Sequence, residues 1–234
     1  MVSDSSLEQN WRQQLQSDTL KQQLSAAYAL AVSGEEGIEL LQSTLLERQQ
    51  QPPSILDGRI FQLLYALQQP HINEFLNRHW PQGLLPLPAE AKVDYGPLQA
   101  SLLQQAFQEA DRLTLANLCE LAGEGAMARK WVYFTEVQEF PLIDIQTIDR
   151  LWLIYSEGKF GFSVQRRLWL SLGKNWERLW PRLGWKEENL WTRYPNGFTW
   201  DLSAPDGHLP LSNQLRGVRM MEALLCHPAW TEAS

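Results

Sequence analysis

A predominantly helical chain in two parts is what this sequence predicts, and three observations carry the prediction. Apolar residues recur every three or four positions from about Ser6 to Trp80. Residues 81–89, PQGLLPLPA, then place three prolines in nine positions, the composition of a connector. Beyond them helical periodicity resumes, punctuated by prolines, glycines and capping residues.

The first helix carries Leu7, Trp11 and Leu15, and the second, from Asp18, carries Leu20, Leu24, Ala27 and Leu30, with Gly34 placed as its C-terminal cap. Ile38, Leu41 and Leu45 form the face of a third helix that ends near Arg48–Gln51. Pro52-Pro53 enforces an extended turn. The fourth helix follows from Ile55 to Gln69, and a fifth runs from Ile72 towards Trp80. Stacked short helices suggest an α-solenoid-like bundle over residues 1–80, though without a clean repeat period. After the connector a larger domain occupies residues 90–234. Pro97 opens a helix whose apolar stripe runs through Leu98, Leu102, Phe107, Ala110 and Leu118 to Gly123. Trp131-Val132-Tyr133-Phe134 fits helix or strand equally. Asp144 or Thr147 caps a helix bearing Ile148, Leu151, Trp152 and Tyr155; Ser163 caps the next, and Asn175–Leu183 forms another Trp-rich helix.

The most unusual stretch is Trp191–Arg219. Trp191, Tyr194, Phe198 and Trp200 crowd into a segment that Pro195, Gly197, Pro205, Gly207 and Pro210 keep irregular. Ser212 then predicts the N-cap of a helix to about Leu225, with Arg216 and Arg219 on one face. Two readings stand. Aromatic walls beside two guanidinium groups can hold a flat apolar ligand bearing carboxylates. Alternatively the aromatics are core and the arginines are solvated.

Charge narrows the partners. The chain is net −7, but basic and acidic residues number 5 and 9 over 1–87, 4 and 10 over 88–149, and 11 and 8 over 150–234. No clustered basic run exists to neutralise phosphates, so nucleic acid is not an expected partner. Eight of the eleven Trp lie between Trp131 and Trp200, which marks that region as specialised or dependent on aromatic packing. Cys119 and Cys226 show no metal or disulfide spacing. No apolar run reaches membrane-span length, and MVSDSSLEQN has neither a signal-peptide core nor a transit-peptide character. A soluble cytoplasmic protein, with no plastid import route, is the expectation. Asp201, Ser203, Asp206 and His208 invite a hydrolase reading, but no GxSxG surrounds Ser203 and turn roles fit better. Phosphate-loop and metal-helix motifs are absent, so a structural hydrogen bond is the expectation for His208.

Longer strings are more specific. WVYFTEVQEFP, GKFGFSVQRRLWL, NLWTRYPNGFTWDLSAPDGHLPLSNQLRGVR and CHPAW strongly resemble the genomes-uncoupled (Gun-four) family of porphyrin-binding regulators of magnesium chelatase, and the N-terminal bundle more loosely resembles that of cyanobacterial-type members. The resemblance implies an all-α protein, a small helical bundle packed on a larger helical domain with a cupped, aromatic-lined cleft. It implies binding of protoporphyrin IX and magnesium protoporphyrin IX, no catalytic activity, no obligatory cofactor, and action on the large porphyrin-binding subunit of the chelatase in chlorophyll biosynthesis. A monomer is the expected state, with peripheral association to photosynthetic membranes left open. Carried onto this chain, it places Phe134, Trp191, Tyr194, Phe198, Arg216 and Arg219 around the tetrapyrrole, the two arginines on its propionates. Tyr194 stands where some relatives have Trp, a smaller and more polar ring. The competing class is a helical protein–protein adaptor without a small-molecule ligand.

Overall fold

The computed structural model describes residues 4–212 and 217–231, which divide into two compact units, 1–86 and 87–234. The division falls inside the proline-rich connector.

The first unit consists of α1 (Asp4–Leu15), α2 (Leu20–Ala31), α3 (Glu35–Arg48), α4 (Ile55–Ala66) and α5 (Pro70–His79). Helix α2 packs on α1, α3 and α4, so each amphipathic stripe is covered by a neighbour. Leu30, Leu41, Leu45, Ile60, Leu64 and Ile72 are at most 2% exposed, each burial favouring the fold by about 1.5–3 kcal/mol. The end of the Pro52-Pro53 turn is fixed by a capping box. Ser54 accepts from the Asp57 N–H, and Asp57 accepts from the Ser54 N–H at 2.7 Å. Arg48 locks that box by pairing with the buried Asp57 at 2.6 Å. Gly34 serves the following helix instead of the preceding one: it is the N-cap of α3, and α2 closes at Val32.

The second unit holds α6 (Gly96–Leu103), α7 (Phe107–Ala122), α8 (Glu124–Arg129), α9 (Phe134–Val137), α10 (Leu142–Tyr155), α11 (Phe162–Ser171) and α12 (Trp176–Arg182). A small antiparallel hairpin follows, β1 (Lys186–Glu187) and β2 (Leu190–Trp191), with Lys186 opposite Trp191. The described chain ends with α13 (Arg219–Leu225) and a 3₁₀ turn at Pro228–Trp230. Helix α10 is the axis: Ile145, Ile148, Leu151, Trp152 and Tyr155 are fully buried. Trp152 stacks on Phe107 at 6.0 Å and donates to the Thr114 hydroxyl at 3.0 Å. Tyr155 donates to Gln99 at 2.9 Å, and Tyr95 donates to Asp144 at 2.8 Å. Those contacts bind α6 and α7 to α10 by polar groups that find partners when buried.

Several sequence expectations are redrawn here. The helix expected from Pro97 to Gly123 is two helices, because the chain turns at Gln104–Ala106 with Gln105 in the left-handed region (φ 55). Asp144 and Thr147 lie inside α10 and are not caps; Asp144 accepts from the Lys92 N–H and the Tyr95 hydroxyl, while Thr147 donates back to the Ile143 carbonyl. Helix α11 begins at Phe162 rather than after Ser163, and the Ser163 N–H donates to Asp149 at 2.8 Å. The ambiguous aromatic run resolves as a bend with Val132 buried and Phe134 opening α9.

Candidate functional site

The aromatic loop hangs on α11 and α12 by buried polar side chains. His208, 2% exposed, contacts the Leu183 carbonyl through Nδ1 at 2.6 Å and accepts from the Thr199 N–H through Nε2 at 3.2 Å. Both ring nitrogens are therefore committed to backbone, and burial lowers the imidazole pKa, so the ring is held neutral. Gln165 donates to the carbonyls of Gly207 and Pro210 at 3.0 and 2.8 Å. Trp185, fully buried, donates to the His208 carbonyl at 2.8 Å. Gly207 stands at φ +75 with room for no side chain: a Cβ would lie 2.8 Å from Leu183 Cδ2. Asp111 of α7 accepts from the Leu211 N–H at 2.6 Å, and burial pushes its carboxyl up to about 7 against the opposing pull of that hydrogen bond. The Asp201 carboxylate accepts from the Ser203 N–H in a local turn, and hydrogen bonding by the Ser203 hydroxyl, then by that N–H, lowers its pKa. With His208 committed to Leu183 and Thr199, the hydrolase constellation is spent on folding the loop.

The Trp-rich segment forms a ladder. Trp169, Trp176, Trp180 and Trp185 follow one another at centroid spacings of 4.9, 5.2 and 5.7 Å. Trp191 joins its flank, edge-on to Trp180 at 5.6 Å, with the Lys186 ammonium 5.3 Å from its ring. Trp169, Trp180 and Trp185 are core, while Trp176 and Trp191 are half-buried.

On another face α13 packs against α9. There the Arg219 guanidinium carbon lies 5.5 Å from the centroid of Phe134, which is 36% exposed. The Phe134–Arg219 pair is thus an open aromatic ring beside an exposed cation. Nearby, Arg129 lies 4.2 Å from the Tyr133 ring and pairs with Glu136 of α9.

The structure brings together two of the residues the sequence nominated, Phe134 and Arg219, and distributes the others. Trp191 belongs to the ladder. Phe198 is 7% exposed and packs between Trp200 and His208 at 6.1 and 5.6 Å, so it acts as core. Tyr194 is 58% exposed and edge-on to Trp200 at 5.9 Å. Arg216 lies outside the described residues. Of the helix expected from Ser212 to about Leu225, the described residues contain α13, Arg219–Leu225, and Gly217 before it takes φ +95, outside the α-helical range, while residues 213–216 lie outside the described residues.

Two family models match the chain. One, described as GUN4-like, covers residues 88–228, and the other, an ARM-like repeat domain at the GUN4 N-terminus, covers residues 2–81. The chain belongs to the GUN4 family. A Ycf53-like protein of Synechocystis is 51% identical over 94% of this chain and 95% of its own length. An Arabidopsis thaliana protein named tetrapyrrole-binding protein, chloroplastic, is 36% identical over 62% of this chain and 58% of its own. Among solved structures, GUN4 from Chlamydomonas reinhardtii aligns with a TM-score of 0.59 at 38% identity, over 63% of this chain and 95% of that one. The ligand-free structure of Arabidopsis thaliana GUN4 aligns with a TM-score of 0.55 at 37% identity, over 63% and 99%. The GUN4-like segment contains the whole aromatic loop, the Trp ladder and the Phe134–Arg219 pair.

Within this GUN4 chain, sequence reasoning passed over Arg112 and Glu109. Their spacing of three on a helix was readable as an ion pair, and they form one at 2.6 Å. What no local pattern shows is that this pair and Tyr194 line one cavity. Among the described residues no group of three or more His, Cys, Asp or Glu side chains could hold a metal ion, and no helix is long and apolar enough to cross a membrane.

Proposed function

We propose that this protein binds protoporphyrin IX and magnesium protoporphyrin IX through its second unit and stimulates magnesium chelatase by engaging the large porphyrin-binding subunit. On this reading it is a regulatory binding protein of chlorophyll biosynthesis and not an enzyme. The observation that carries the reading is the Phe134–Arg219 pair, an exposed aromatic face beside a cation in a unit with the GUN4 fold. The name of the Arabidopsis relative supports the ligand class. A tetrapyrrole is a broad apolar plate with two carboxylate arms. The ring of Phe134 offers it area, Tyr194 a second exposed ring, and Arg219 and Arg216 offer charge-assisted partners for the arms.

The test is a titration of the full chain with deuteroporphyrin, followed by porphyrin absorption and Trp quenching. A charge-assisted contact at an exposed edge contributes at most roughly 1.5–3 kcal/mol, and less where water screens it. Arg216→Ala should weaken binding about tenfold, and Arg219→Ala somewhat less, at ~1.4 kcal/mol per decade. A lysine at either position should restore only part of the loss, since an ammonium lacks the fork. A porphyrin with esterified propionates should bind the wild type and both alanine variants alike. Absence of binding to either porphyrin would favour the adaptor class. Binding that leaves reconstituted chelatase unaffected would remove the regulatory half of the reading.

A further inference from the structure

The turn between α6 and α7 brings the start of α7 beneath the aromatic loop and borders an open, shallow pocket of ≈ 370 Å³. One wall is Tyr194 and Trp200; the other includes Gln105, Gln108, Glu109 and Arg112. Trp200 is locked in place by its indole N–H, which donates to the Pro195 carbonyl at 3.0 Å. Tyr194 stands edge-on to it and is open to solvent. The cavity thus combines fixed aromatic area with one guanidinium group.

That guanidinium is only partly used. Arg112 donates to Glu109 through Nε at 2.8 Å and through Nη2 at 2.6 Å, while its Nη1 donates no hydrogen bond among the described residues. Both side chains are exposed, at 60% and 47%, and ion pairs this open contribute little and exchange readily. A carboxylate entering the cavity can take the free edge of the fork or displace Glu109.

On the same face of α7, Leu115 follows Arg112 at helical spacing and is 38% exposed, an open apolar step beside the guanidinium.

We propose that Arg112, under Tyr194, is a further carboxylate subsite for the tetrapyrrole, sharing one propionate arm with the arginines of the Trp191–Arg219 segment, and that Glu109 competes for it. The assignment rests on the tetrapyrrole reading and adds to it a cation outside the Trp191–Arg219 segment.

The experiment titrates full-length wild type, Arg112→Ala, Arg112→Lys and Glu109→Gln with deuteroporphyrin and with its dimethyl ester, after circular dichroism has shown unchanged helicity. Arg112→Ala should weaken the free acid roughly three- to tenfold, with partial recovery in Arg112→Lys. Glu109→Gln should tighten it about twofold, because it removes a competing negative charge. None of the variants should change affinity for the ester. Wild type that binds the free acid no better than Arg112→Ala overturns the subsite and leaves the porphyrin reading intact. An equal loss for acid and ester in Arg112→Ala overturns it too, since the residue would then hold the loop and not the carboxylate. Wild type that binds neither ligand ends the tetrapyrrole reading and the subsite with it.

Discussion

Asp111 ties α7 to the end of the aromatic loop across 100 residues of sequence, and its buried carboxyl should make that tie visible as a pH dependence of stability. It is 7% exposed, and burial raises its pKa from 3.8 to about 7, with the Leu211 N–H pulling the other way. The folded state therefore holds a proton that the unfolded chain releases. Stability from this group is fully present below the unfolded carboxyl pKa, is lost as pH rises towards the folded value, and is flat above it. A rise of about three pH units corresponds to ~4 kcal/mol at ~1.36 kcal/mol each, an order-of-magnitude figure.

Asp111→Asn keeps an oxygen acceptor for Leu211 and removes the titration. The new buried amide N–H₂ costs about 1–3 kcal/mol where it lacks a partner, so the variant should start below wild type near pH 5. Its relative stability should then improve with pH and level off at about pH 8, by as much as ~2.7 kcal/mol, since only about two of the three pH units lie above pH 5. Asp149, also raised by burial to about 6, titrates in both proteins and cancels in the difference. Urea unfolding of both proteins across that range measures it. A difference that does not vary with pH would show that Asp111 is ionised throughout. A difference of opposite slope would show that the Leu211 N–H outweighs desolvation.

Two further outcomes are expected. Tyr194→Ala should leave urea stability within about 0.5 kcal/mol yet weaken deuteroporphyrin several-fold, whereas Phe198→Ala should cost about 3–5 kcal/mol of stability, as for a buried aromatic; equal effects in both assays would place the two rings in one role. A fragment of residues 87–234 should stay folded and bind deuteroporphyrin nearly as well as the full chain, because the second unit is compact and holds every residue proposed to meet the ligand; a fragment that is helical by circular dichroism but does not bind would refute this.

The helices were legible because apolar periodicity is local, and it succeeded in α3, α4 and α10. It failed where tertiary context sets a break. Gln105 enters the left-handed region at the foot of the aromatic loop, and nothing in LLQQAFQ announces that. Gly217 was visible, but an isolated glycine costs a helix only ~1 kcal/mol, so sequence alone carried the helix through it. The site was less legible for a related reason. Tyr194 and Phe198 stand four residues apart in one irregular loop, yet one is 58% exposed and the other 7%. Periodicity assigns faces only in regular structure, so it could not separate them. Arg112 and Tyr194 line one cavity although 82 positions separate them in sequence, a juxtaposition that belongs to the fold.

The loop's construction explains how exposed aromatics can be held in fixed positions. Beyond the two-residue strands β1 and β2 it has little regular backbone pairing, so its buried carbonyls and N–H groups need other partners. Side chains of the surrounding helices and of the loop itself provide them: Gln165 for Gly207 and Pro210, Asp111 for Leu211, His208 for Leu183 and Thr199, Trp200 for Pro195. The buried ones among them, at Leu183, Gly207 and Pro210, would otherwise be unsatisfied polar groups costing about 1–3 kcal/mol each. Stability therefore resides in the residues facing inward, and Tyr194 is free of that duty. Substituting Gln165 or His208 should damage fold and binding together, whereas changes at Tyr194, Arg112 or Arg219 alter affinity on an unchanged scaffold. That separation is what lets binding measurements on the exposed residues be interpreted as contacts with a ligand.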